Sequence, residues 1–247
     1  MKTKRLIGLR GLTRGQGHWG NFPRILNSLD ASIDFELLEI PGNGTRFSES
    51  PPTQAEEALA MIRKKSRFVK DQKSFSILGI SLGGMLALKW AELFPQEILT
   101  LFIVNSSLSQ LSPFYRRLQL RQVPHILKTL RESDFIEREK MILSMTSNEP
   151  QKIQDQLLPM AAFSQQYQVS RMSFIRQLRL ASQVQIQNQI CAKVKIICSQ
   201  EDRLVHSSCS TKLAQYFDGK SLIHPTAGHD LPLDDPQWLA KIVIDNF

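Results

Sequence analysis

Residues 79–83 read Gly-Ile-Ser-Leu-Gly, with an apolar run before them (Phe75, Ile77, Leu78, Ile80) and a helical pattern after them (Met85, Leu86, Leu88, Trp90) that lasts to Pro95. The pattern predicts a strand, a very tight turn and a helix, with Ser81 at the apex. A serine there sits on a strained backbone, and only small residues two positions before and two after let the chains pass so closely. Gly79 and Gly83 occupy those positions, and Gly84 adds room. Such a turn lifts the Ser81 hydroxyl clear of a sheet and aims the free N–H groups of the following helix at a reacting atom. The hydroxyl is a poor nucleophile until an imidazole removes its proton. The imidazole in turn needs a carboxylate to fix its tautomer and stabilise its cation. Asp202 and His229 supply these types, each just after a strand-like run, in the order nucleophile, acid, histidine. Glu201 competes with Asp202 as the acid, and His18, His125, His206 and His224 compete with His229. The bland alternative is a glycine-rich turn with an incidental serine.

The elements that must hold these residues alternate along the chain. Strands are expected at 4–10, 35–40, 75–80, 99–104, 194–198 and 221–224, with helices at 21–29, 54–69, about 210–217 and from about 236. Thr53 with Glu56 three residues on predicts a capping box at the start of the second helix. Between 108 and 189 strand-like runs vanish, and four helices are expected, opened by Ser112-Pro113, Ser133-Asp134, Glu149-Pro150 and Ser170. Alternating strands and helices argue an α/β fold: a mostly parallel sheet of about six strands with helices on both faces. The division expected is a core of residues 1–107 and 190–247 with a helical cap, 108–189, inserted between two of its strands. In a parallel sheet, functional residues collect at the carboxyl ends of the strands.

The composition is that of an ordinary globular chain: 247 residues, 42% hydrophobic and 22% charged. No apolar stretch approaches the roughly 18 residues that would span a bilayer. No apolar segment precedes the first strand, so a secretory signal is not expected, and a cytoplasmic protein is. Cys191, Cys198 and Cys209 match no metal spacing and read as buried free thiols; no metal and no cofactor are expected. The glycines at 11, 15, 17 and 20 do not give a dinucleotide-binding spacing. Net charge is +8, which admits nucleic acid, an anionic membrane surface or an acidic protein as partners. There is no low-complexity basic tail, and no nucleic acid is expected.

On these residues the chain resembles the α/β-hydrolase superfamily over nearly its whole length. Gly79-Ile80-Ser81-Leu82-Gly83 looks like that family's nucleophile elbow, Asp202-Arg203-Leu204-Val205 like its acid loop, and Gly228-His229 like its terminal Gly-His. Where members usually carry His-Gly-x after the first parallel strand, this chain has Arg10-Gly11-Leu12, with Trp19 further on. Arg10 thus replaces the usual histidine, and Ser199 stands where glycine is common before the acid. The resemblance implies an oxyanion hole from the backbone N–H groups of Leu12 and Leu82, and a triad of Ser81, Asp202 and His229. In size and cap placement the chain is similar to the small capped esterases, including the pimeloyl-carrier-protein methyl ester esterases.

The function expected is hydrolysis of a carboxylic ester or thioester through an acyl-enzyme. The alternatives are lactone, amide or carbon–carbon bond hydrolysis on the same residues, or a binding protein that kept the fold and lost the reaction. The substrate expected is a small-molecule ester or acyl-thioester, and an acidic acyl-carrier protein is admitted as a partner. Between residues 108 and 189 eleven basic residues face six acidic ones, which carries five of the chain's eight net charges. Candidate substrate-binding residues are His18 and Trp19 beside the first turn, with Arg116, Arg117 and Arg121 in the cap.

Overall fold

The computed structural model describes residues 3–149, 151 and 153–247. Its sheet has six parallel strands: β1 (Lys4–Leu9), β2 (Ile33–Leu38), β3 (Phe75–Ile80), β4 (Ile98–Val104), β5 (Lys193–Ser199) and β6 (Ser221–His224). They lie side by side in the order β2-β1-β3-β4-β5-β6. Every expected strand is present, and β2 begins two residues earlier than the apolar pattern suggested.

Helices alternate with the strands. α1 (Phe22–Leu29) follows β1, and α2 (Ala55–Arg63) and α3 (Arg67–Lys70) follow β2. α4 (Leu82–Leu93) follows β3. α10 (Ser208–Tyr216) lies between β5 and β6, and α11 (Leu231–Asp234) and α12 (Pro236–Asp245) close the chain. Among the described residues five α-helices, one more than expected, lie between β4 and β5, because the segment opened by Ser112-Pro113 breaks after Arg117 and resumes at Val123: α5 (Phe114–Arg117), α6 (Val123–Thr129), α7 (Phe135–Thr146), α8 (Gln154–Gln166) and α9 (Arg171–Gln183).

Because alternate side chains of a strand point to opposite faces, one sheet feeds two cores. Ile7, Leu9, Ile77, Leu101 and Ile103 face the side covered by α2 and α4, where Leu59, Leu86 and Trp90 pack. Leu6, Leu78, Ile80, Phe102 and Val104 face the other side, covered by α1 and α12 with Phe22, Leu26 and Leu239. β3 is buried at all six positions, as the central strand of a parallel sheet must be.

Three local expectations are corrected. The predicted helix 54–69 breaks after Arg63, because Ser66 turns its side chain to accept from Val69 N and starts α3. The Thr53 capping box is not formed: Gln54 caps α2 without a side-chain bond, and Glu56 pairs with Lys89 at 3.2 Å. Cys191 is exposed, whereas Cys198 and Cys209 are buried. In the helical stretch, Asp134 and Ser170 do cap α7 and α9 through their side chains. The start expected at Glu149-Pro150 falls partly outside the described residues, and α8 is seen from Gln154.

Candidate active site

The carboxyl ends of β1, β3, β5 and β6 bring the candidate residues to one edge of the sheet. Ser81 has φ 54° and ψ −117°, a region that non-glycine residues rarely occupy. The strain is held by bonds on both sides of it. Ser81 N donates to Val104 O at 2.9 Å, extending the β3–β4 ladder by one residue. Its carbonyl accepts from Ser106 Oγ at 2.7 Å and from Gly84 N at 3.0 Å. The two glycines are needed for the close approach. A Cβ on Gly83 would lie 2.3 Å from Leu9 O, and one on Gly79 would lie 2.6 Å from Gly83 O.

The first turn packs directly on the serine: a Cβ on Gly11 would sit 3.1 Å from Ser81 Cβ and 3.7 Å from its Oγ. Leu82 is the first residue of α4, so its N–H has no partner within the helix. Among the described residues, neither Leu12 N nor Leu82 N donates to a protein acceptor. Leu82 N follows Ser81 directly in the chain, and Leu12, next to Gly11, lines the same cavity as Ser81.

His229 Nδ1 lies 2.7 Å from Asp202 Oδ2, with both side chains buried. The other Asp202 oxygen accepts from Leu204 N at 2.8 Å and Val205 N at 2.9 Å, which locks the carboxylate in place. Burial pulls the His229 imidazole down, but the charge and hydrogen bond of Asp202 push harder the other way. The net is above the ordinary histidine value. Ser81 and His229 line the same cavity of about 430 Å³ without a direct hydrogen bond between them. His224, a rival for the histidine role, instead faces Asp235 at 3.2 Å, while His206 bonds Ser208 at 2.8 Å.

Residues that the sequence did not single out hold this arrangement. Asn105, at φ 45° just past β4, donates to Ser199 Oγ and to His229 O, both at 2.9 Å, and accepts from Ser199 N at 2.7 Å. A serine at 199 therefore has a partner that a glycine would lack. Asp234 takes Gly228 N at 2.6 Å and Asn148 N at 3.0 Å, tying the histidine loop to the end of α7. The signal in both cases is a polar residue immediately past an apolar strand or beside the histidine, which is too common to read without coordinates.

Arg10 makes a bidentate pair with Asp230, Nη1–Oδ1 at 2.8 Å and Nη2–Oδ2 at 2.6 Å, both fully buried at the cavity wall. Burial pushes the Asp230 carboxyl up, but the Arg10 charge and hydrogen bonds overcome this and hold it below the usual carboxylate range. The arginine in place of the family histidine thus ties the first turn to the residue after His229. A second buried group lines the same cavity. Arg14 grips Glu139 of α7 at 2.8 and 2.9 Å, and Glu139 accepts from Ser164 Oγ at 2.7 Å. His18 completes it: its Nδ1 accepts from Gly15 N at 2.9 Å, leaving the proton on Nε2, 3.0 Å from Ser164 Oγ. Burial, with Arg14 beside it, pulls the His18 imidazole down to about 4, so it is neutral at ordinary pH.

The remaining candidates lie elsewhere. Trp19 is buried against Phe22 and Phe35 in the core, and is not part of the cavity wall. Arg117 turns inward to Ser107 Oγ at 3.1 Å and Ala181 O at 2.6 Å. Arg116 and Arg121 are exposed on the outside, so none of these three arginines lines the cavity. Most of its exposed wall area is apolar, with Leu12, Ile80, Leu118, Ile126 and Ile142 among the residues that line it together with Ser81. Among the described residues, no group of His, Cys, Asp and Glu side chains is arranged to hold a metal ion.

Comparison with known proteins agrees with this architecture. The alpha/beta hydrolase fold family matches residues 11–236, and the chain belongs to it. A protein of Escherichia coli O26:H11 named "Putative carbamate hydrolase RutD" is 24% identical over 176 residues, 69% of this chain and 65% of its own length. The chain thus spans just under two thirds of that relative. An enol-lactonase from Burkholderia xenovorans LB400 superposes with a TM-score of 0.73 at 13% identity, over 99% of this chain and 91% of its own. A lipase-esterase related protein from Clostridium acetobutylicum ATCC 824 does so at 0.71 and 14%, over 100% and 95%. At such identities the likeness to solved structures is one of fold.

Proposed function

We propose that the protein is a serine hydrolase that cleaves a carboxylic ester or thioester, with residues 108–189 roofing the site as a cap. The observation that carries this is the His229–Asp202 pair at 2.7 Å, with His229 lining one cavity together with a serine held at φ 54°. In the reaction, Ser81 Oγ attacks the carbonyl carbon while its proton passes to His229 Nε2. The carbonyl electrons move onto oxygen, which the Leu12 and Leu82 N–H groups receive. The tetrahedral intermediate collapses, and the alcohol or thiol leaves with the proton from His229. A water then repeats the sequence on the acyl-enzyme, releasing the acid and restoring Ser81. Asp202 keeps Nδ1 protonated and stabilises the imidazolium without accepting its proton.

Lactones and carbamates can pass through the same acyl intermediate, so the names of the relatives above are compatible with it. The apolar walls around Ser81 favour an ester or thioester with an apolar acyl group. The test is labelling with a fluorophosphonate probe, followed by a series of p-nitrophenyl esters of increasing chain length. Label on Ser81, with Ser81→Ala losing both labelling and about 10⁶-fold in kcat, is the expected result. Label on Ser106, or turnover surviving in Ser81→Ala, would assign the chemistry elsewhere. A chain that neither labels nor turns over any ester would be a binding protein on this fold.

A further inference from the structure

The stretch from 113 to 131 lines the cavity with some of its side chains and turns others to solvent. Its inner side chains, Leu118, Ile126, Thr129 and Leu130, form part of the cavity wall. Its solvent-facing side chains include large apolar groups set close together in sequence. Phe114 is 70% exposed, Leu120 54% and Leu127 47%, with the Tyr115 ring set edge-on against Phe114. Pro124, Leu127 and Lys128 of α6 follow helical spacing and are exposed together, with exposed Leu120 in the turn just before that helix. Interleaved with these apolar groups are the exposed cations Arg116, Arg121, Lys128 and Arg131. From Ile98 to Arg131 the sequence contains five basic residues and no aspartate or glutamate. The first carboxylates beyond it are turned to local work: Glu132 accepts from Asp134 N, and Asp134 caps α7. Among the described residues, no carboxylate lies within ion-pair distance of any of these four cations.

From this combination we infer that the outer face of residues 113–131 docks the protein onto an anionic lipid surface. The reading of the site as an ester hydrolase gives this docking a use, but the docking itself does not depend on turnover. Exposed aromatic and leucine side chains flanked by Arg and Lys are what an interfacial segment needs: apolar groups to enter the headgroup boundary, and cations to meet the lipid phosphates. Charge complementarity selects the anionic surface over a neutral one. Arg131 is both exposed and part of the cavity lining, so the cavity mouth opens at the edge of this face. An amphiphilic ester leaving the bilayer would reach Ser81 without crossing bulk water.

The experiment uses the full chain carrying Ser81→Ala, so that its outcome is separate from that of the hydrolase reading. Co-sedimentation is measured with vesicles of phosphatidylcholine alone and with vesicles of equal parts phosphatidylcholine and phosphatidylglycerol. The expected result is at least about fivefold more protein pelleted with the anionic vesicles, falling toward the neutral level in about 0.5 M salt. Phe114→Ser/Leu127→Ser and, separately, Arg116→Gln/Lys128→Gln should each remove most of the binding. Circular dichroism checks that the variants stay folded. Equal pelleting with both vesicles, or binding that survives both double variants, overturns the proposal. So does a salt-sensitive complex with an acidic acyl-carrier protein without vesicle binding, which would make the face a protein-docking site. A dimer in sedimentation velocity that Phe114→Ser/Leu127→Ser dissociates, again without vesicle binding, would show that a second copy covers it.

Discussion

The sheet edge that carries Ser81, Asp202 and His229 and the helical stretch between β4 and β5 that walls the cavity are held by different means. At the sheet edge, positions are fixed through the backbone. Ser81 N extends a strand ladder, Asp202 accepts two main-chain N–H groups, and Asn105 grips the His229 carbonyl. Between the first turn and α7 the walls are joined by long side chains meeting tip to tip, as Arg14 meets Glu139, beside a few main-chain ties such as Asp230 N to Thr146 O at 2.8 Å. A backbone-held group has few alternatives to its observed position, whereas a side-chain wall can be rebuilt by substitution. Reaction type should therefore be set by the first region and substrate choice by the second.

The sharpest way to break that division is at the acid. Asp202→Asn keeps the shape of the sheet edge but removes the charge that orients His229, and kcat should fall by about 10⁴-fold. Glu201→Gln should change it little; the opposite ranking in steady-state kinetics would move the acid. Next in size is the buried ion pair within the sheet edge, between the turn after β1 and the residue after His229. Arg10→Met leaves Asp230 as a buried unpaired charge and should cost about 3–5 kcal/mol of stability, measured by urea unfolding. Arg10→Met/Asp230→Leu should recover most of that loss, since the desolvation of both ions is then avoided. In the cavity wall, Ile142→Ala should shift the ratio of kcat/KM between bulky and small acyl esters by about tenfold, with kcat for the small ester nearly unchanged. The smallest effect is in the pH profile. His229 must be neutral to accept a proton, so kcat/KM should fall as pH drops through its raised value. The midpoint of that limb should lie above the ordinary histidine value of about 6.5. A limb centred well below it would mean that Asp202 does not stabilise the imidazolium.

The same division explains what could be read from the sequence. The strands were legible because each is a short apolar run ending at a turn, and their pairing in parallel follows from the helices between them. The elbow was legible because its glycines stand at fixed offsets from Ser81 where a Cβ would come within 2.3 Å (Gly83) or 2.6 Å (Gly79) of a backbone oxygen. The cavity wall was not. Arg116, Arg117 and Arg121 were chosen by charge, yet charge does not say which side of a short helix faces inward, and none of them reaches the cavity. Arg14 and Glu139, which do, are 125 residues apart and meet only once the chain has folded. Trp19 lay beside the first turn in sequence, but packing on Phe22 and Phe35 draws its ring into the core.

The Arg10–Asp230 pair joins residues 220 positions apart, one near each end of the chain. During synthesis, every other part of the sheet edge can be made while Arg10 still waits for its counter-ion. A nascent or prematurely terminated chain that stops before His229 lacks both the histidine and Asp230, and it must either bury a lone guanidinium or leave β1 unpacked. Such a fragment has neither a base for the reaction nor a stable core around its first strand. Packing of the first strand is therefore conditional on synthesis having passed Asp230, which makes the pair a late checkpoint on folding.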